Sequence, residues 1–77
     1  MLAETRILVV KMRQQGFSRR SAIRAAKLIL LSQMYEKLLL AASERRHRDI
    51  FRKRLDQIRS ELVVTITTGR PESFAAA

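Results

Sequence analysis

The chain has no cysteine and no tryptophan, and only one histidine, one proline and two glycines in 77 residues. Without cysteine there can be neither disulfides nor a thiolate metal site, and His47 alone cannot build a metal centre without carboxylates placed close to it. Nucleophilic catalysis needs a serine, cysteine or threonine together with a base and an orienting group. The one histidine lies in the run Arg45-Arg46-His47-Arg48, a solvated cationic stretch with nothing to position it. The acids are scattered singly, and Gly16 and Gly69 stand alone instead of forming a phosphate loop. The chain therefore reads as a non-enzyme with no catalytic residue, no metal and no cofactor. The shortage of glycine and proline leaves few places to break a helix, so long helices are expected. Aromatic residues are limited to Phe17, Tyr35, Phe51 and Phe74, which look like core or anchor positions and not like a stacking platform for single strands. Lys27 and Lys37 bound the longest apolar run, which is too short for a transmembrane helix, and no secretory signal is recognised.

What is present in excess is positive charge. Sixteen Lys and Arg against seven Asp and Glu give a net charge of +9, a field that favours nucleic acid, an anionic membrane or an acidic protein face. The surplus is uneven. Before Glu36 a single acid, Glu4, faces seven bases, whereas from Glu36 onward six acids partly offset nine. Hydrophobic residues make up 47% of the chain, too many for a disordered segment. A single domain spanning 1–77 is expected, and at this length it is marginal unless reinforced. With disulfides and metals excluded, reinforcement falls to self-association or a bound partner. The first thirty residues are Arg-rich, Ser-containing and acid-poor, a composition shared by organelle transit peptides and helical DNA-binding segments. A cytoplasmic setting, bacterial or phage, is the default expectation.

The apolar spacing predicts an all-α fold of two to three helices, with a long central helix and a helical hairpin packed as a dimer. Leu2, Ala3, Ile7, Leu8, Val10 and Met12 fit a first helix over about 2–15, although Ile7 to Val10 is β-prone. Gly16 stops it, and Ser18 is a natural N-cap for a second helix over about 19–42. That helix is apolar nearly all round. Leu28, Leu31, Tyr35, Leu38 and Ala42 form one stripe, Ile23, Leu30 and Met34 begin another, and Ile29, Leu39 and Leu40 widen the surface. Two short helices of the same chain are not expected to cover it. Ser43 to Asp49 reads equally as a turn or as continuous helix. Phe51, Leu55, Ile58 and Leu62 then recur at spacings of four, three and four, a seam for packing along another helix in a segment over about 44–66. Oppositely charged residues at i,i+4, such as Asp49 with Lys53, mark its solvated face. The run Thr65, Ile66, Thr67, Thr68 loses helix preference and leaves open whether 63–68 ends as helix or strand. Gly69, Arg70 and Pro71 are expected to close the ordered part, with 69–77 a flexible tail unless Phe74 docks on a neighbour.

The most informative stretch is Gly16-Phe17-Ser18-Arg19-Arg20-Ser21-Ala22-Ile23-Arg24-Ala25-Ala26-Lys27. Arg20, Arg24 and Lys27 fall at i, i+4 and i+7 on one helical face, and the helix start itself favours a phosphate, so these residues form a usable anion site. Gly16, Phe17, Ser18, Ser21 and Ala22 resemble the turn and second helix of helix-turn-helix DNA-binding proteins. The segment is also similar to the second helix of ribbon-helix-helix proteins through Ser18, Arg19, Ala22, Ile23, Arg24 and Ala26. The first resemblance implies a major-groove helix in which Arg19, Arg20 and Arg24 meet bases while Lys27 and Arg13 hold phosphates.

The leading expectation is a small basic homodimeric regulator that binds duplex DNA through its amino-terminal half, using Arg13, Arg19, Arg20, Arg24 and Lys27. Its oligomer or partner interface is expected at Leu28, Leu31, Tyr35, Leu38, Phe51, Leu55, Ile58 and Leu62. The rival is a helical hairpin adaptor, chaperone or phage-type inhibitor that docks on an acidic or apolar groove of a partner protein. A third option, an amphipathic helix on a membrane surface, ranks lower because basic and apolar residues are not cleanly segregated around the second helix.

Overall fold

The computed structural model describes residues 2–69 and contains three helices, α1 (Ala3–Gln14), α2 (Arg19–Ala41) and α3 (Arg45–Gly69), with no strand among the described residues. The fold is all-α. The α1–α2 junction follows directly from local chemistry. Gly16 adopts φ 97°, a conformation open to glycine without a Cβ penalty. The N–H of Gly16 donates to the Arg13 carbonyl at 3.0 Å and that of Phe17 to the Met12 carbonyl at 3.2 Å, the paired bonds of a Schellman stop. Two residues after the glycine, Ser18 caps α2 by accepting from the Ser21 N–H at 3.2 Å, while its hydroxyl donates to the Ser21 hydroxyl at 3.0 Å. One helix therefore ends and the next begins within four residues.

At the other junction Ala42 turns the chain into an extended conformation, and helix resumes at Arg45, where the Arg48 N–H donates to the Glu44 carbonyl at 3.1 Å. The segment after Ala41 is thus a short turn, not continuous helix. Helix α3 runs farther than the sequence suggests, through the threonine run and onto Gly69. Thr65, Thr67 and Thr68 each donate a hydroxyl hydrogen to the carbonyl four residues back, at 2.8 Å, so these β-prone side chains are satisfied within the helix. Gly69 seats tightly on the first turn of α2. A Cβ at Gly69 would lie 2.7 Å from the Ser21 Cβ and 3.2 Å from the Phe17 ring. The expectations for Arg70, Pro71, Phe74 and the rest of the tail lie outside the described residues.

Helix α2 is central. Both α1 and α3 pack on it, and no Cα of α1 comes within 8 Å of one in α3. Leu2 reaches Leu30, Leu31 and Met34, so α1 returns along α2. Helix α3 runs antiparallel on the other flank, with Gly69 at Ser21 and Arg59 bonded to Glu36 at 2.8 Å. The result is a flat layer with extents of 46 × 27 × 16 Å.

Burial in this layer does not follow apolar bulk. Ala22, Ala25 and Ala26 are 0% exposed, and Ser32 is buried with them, so the small side chains of α2 lie where the helix backbones approach. Thr5 of α1 and Thr65 of α3 are the buried polar residues of the flanking helices. Among the larger apolar residues described, only Phe17, Leu28, Leu55 and Ile58 are buried. By contrast Met34 is 47% exposed and Leu40 is 89% exposed.

Candidate nucleic-acid interface

The cationic residues near the α1–α2 turn fall into two stripes. Leu2, Arg6, Val9 and Arg13 recur at spacings of four, three and four along α1, and so share one side of that helix. Arg20, Arg24, Lys27, Leu31, Met34 and Leu38 do the same along α2. Leu2 and Lys27, Leu31 and Met34 border a common groove, which places the two stripes on the same face of the layer. A second groove, of about 600 Å³, is lined by Arg6, Val9, Val10, Arg13, Gln14 and Arg19. Arg19, the first residue of α2, thus comes up against the arginines of α1.

Six cations, Arg6, Arg13, Arg19, Arg20, Arg24 and Lys27, are all exposed and concentrated at the turn end of this face. The two acids of α1 and α2 lie elsewhere. Glu4 borders a different groove with Ile7, Leu8, Leu30, Gln33 and Lys37, and Glu36 is bonded to Arg59. Among the described residues the ion pairs are Arg59–Glu36 at 2.8 Å and the longer His47–Glu44 contact at 3.7 Å, so none of the six cations is paired with an acid of the described residues. Like charges gathered on one face repel one another, and the arrangement lowers that repulsion when it meets anions.

Of the five cations singled out in the sequence, Arg13 and Arg19 share the larger groove, while Arg20, Arg24 and Lys27 follow one another along α2. The sequence reading missed Arg6. Its signal was the seven-residue step to Arg13, two helical turns that bring both side chains to one side of α1. The basic cluster of α3 is of a different kind. Arg45, Arg48 and Arg52 border a groove with Asp49, and Arg54 donates to Gln57 at 3.3 Å, so acids and amides are interleaved with its charge.

The residues expected at an oligomer or partner surface divide sharply. Leu28, Leu55 and Ile58 are buried inside the chain's own α2–α3 hairpin. The four-three-four spacing specified a helix partner, and the antiparallel α2 supplies it. Tyr35 and Phe51 meet edge to face with ring centroids 6.2 Å apart, and with Leu62 they are half-buried in the same hairpin. Leu31 is half-buried and Leu38 is 38% exposed, and these two remain on the surface that carries the cations.

His47 tilts against Phe51 at 6.4 Å, and among the described residues no group of three or more His, Cys, Asp or Glu converges on a point. Nor is any helix among them long and apolar enough to cross a membrane. No protein-family model, no curated protein and no solved structure matches the chain.

Proposed function

We propose that the protein binds duplex DNA through the face formed by Arg6, Arg13, Arg19, Arg20, Arg24 and Lys27. The observation that carries this reading is the six exposed cations drawn from α1 and α2 onto one face, with the acids of those two helices placed elsewhere. Phosphate contact is the mode that this face favours. A major groove about 12 Å wide admits one helix, whereas α2 is flanked on both sides at helix spacings of about 8–10 Å. In addition, α1 returns along α2 instead of crossing at the roughly 90–120° of a helix-turn-helix pair. Arg19, Arg20 and Arg24 are accordingly assigned to phosphates, with little sequence preference.

The test is fluorescence anisotropy with a labelled duplex across a salt series. Each phosphate contact contributes about 0.9 to the slope of log affinity against log salt, so Arg20→Ala with Arg24→Ala should flatten the slope by about two. A double variant with unchanged slope and affinity removes these residues from the interface. A scrambled duplex of equal length should bind comparably; strong discrimination would restore base reading.

A second reading is favoured by Leu40, 89% exposed on the far side of α2 beside a groove of Glu36, Leu39, Arg52, Leu55, Asp56 and Arg59. In this reading the α2–α3 hairpin docks on a partner protein, or on a second copy that covers Leu40. Light scattering combined with duplex retention separates the two readings, because a monomer that ignores DNA supports only the second.

A further inference from the structure

The face that carries the cations does not end with them. Along the single stripe of α2 the charged residues occupy Arg20, Arg24 and Lys27, and the apolar residues Leu31, Met34 and Leu38 follow. Basic and apolar residues are thus segregated along the helix axis, not around it. Met34 is 47% and Leu38 38% exposed, and Leu2 of α1, 71% exposed, borders the same groove as Met34. A DNA backbone offers nothing to this apolar half. An occupant that suits the whole face must set phosphates beside hydrocarbon, with negative charge and no requirement for acids in return.

We infer that this face docks flat on an anionic lipid bilayer surface, with Arg6, Arg13, Arg19, Arg20, Arg24 and Lys27 among the headgroup phosphates. Leu2, Leu31, Met34 and Leu38 enter the boundary between headgroups and acyl chains. Charge complementarity selects the occupant. The six cations find no counter-charge within the described chain, and the two acids of α1 and α2 are turned to other surfaces. The molecule's shape agrees, since a layer 16 Å thick can lie with one broad face down. The packing agrees as well. Alanine, serine and threonine share the contacts between helices with Phe17, Leu28, Leu55 and Ile58, and Leu2, Met34 and Leu38 stay exposed.

The inference uses the same cations as the DNA reading but stands on different residues, Met34 and Leu38, and the experiment separates the two. The chain has no tryptophan, so Met34→Trp introduces a single reporter. The variant is mixed with vesicles of phosphatidylcholine alone or with phosphatidylglycerol added, and sedimentation and emission are both recorded. The expected result is co-sedimentation and a blue shift only with the anionic vesicles. Neutralising each cation should weaken partition about fivefold, so Arg20→Ala with Arg24→Ala should lower it by more than tenfold. Leu38→Glu should abolish the blue shift and release the protein, while leaving duplex affinity and circular-dichroism helicity unchanged. Sedimentation without a blue shift would mean adsorption by charge alone and would overturn the inference, as would full retention of Leu38→Glu. Loss of duplex binding in that variant would assign Leu38 to the DNA interface instead. Absence of DNA binding in the parent protein, with vesicle insertion intact, would remove the DNA reading and leave this one standing.

Discussion

The two ends of α2 treat apolar residues in opposite ways. Near the Gly16 turn, Ala22, Ala25 and Ala26 are completely buried, whereas toward Ala41 the much larger Met34, Leu38 and Leu40 are exposed. Apolar character alone does not explain the contrast, because leucine gains more than alanine from leaving water. Coverage explains it. At the turn end α2 is flanked by α1, by the Phe17 corner and by the last turn of α3, where Gly69 brings the backbones so close that only small side chains fit. Glu4 of α1 borders a groove with Lys37, and farther along, at Leu39 and Leu40, the groove beside α2 is bordered by Leu55 and Arg59 of α3 on one side. A small flat layer buries what its neighbours can reach.

The largest effect that would test this contrast is expected at Ile58, which is 1% exposed and the largest fully buried side chain among the described residues. Ile58→Ala should cost about 2–5 kcal/mol in urea denaturation, whereas the comparable truncation Leu40→Ala at the open end should stay within about 0.5 kcal/mol. Equal losses would erase the distinction. Next comes Ala25→Leu, which adds bulk to the closed end and should destabilise by about 1–3 kcal/mol through overpacking; a neutral result would mean that the alanine seam is looser than its exposure implies. Removing the cap with Ser18→Ala should cost about 1 kcal/mol, read as a lower melting temperature. The smallest effect belongs to the Arg59–Glu36 pair, whose side chains are 54% and 48% exposed, so Glu36→Gln should change stability by less than about 1 kcal/mol and by less still in high salt.

Much of the local architecture was legible from the residues. The Gly16 stop and the Ser18 cap follow from chemistry confined to a few neighbouring positions, and the period of Phe51, Leu55, Ile58 and Leu62 specified a helix-packing seam. The identity of the seam's partner was not legible, because periodicity reports a face and not what covers it. The end of α3 is left open by the sequence for a related reason. Propensity disfavours helix at Thr65, Thr67 and Thr68, yet their hydroxyls bond back to the helix and Thr65 is buried against the rest of the fold. The burial of Thr5, Ser32 and Thr65 is not legible in the sequence either, because small polar side chains carry no hydrophobic period. For the candidate face, the stripe on α2 was visible as a spacing, but the contribution of Arg6 required knowing that α1 folds back beside it.

The separation of α1 from α3 bears on how the molecule comes apart. Because among the described helices the first packs on the middle one and not on the third, its detachment would sacrifice a single helix interface and leave the remaining hairpin paired. Amide protons of residues 3–14 should therefore exchange with deuterium through a separate, lower-energy opening, ahead of those in the hairpin seam.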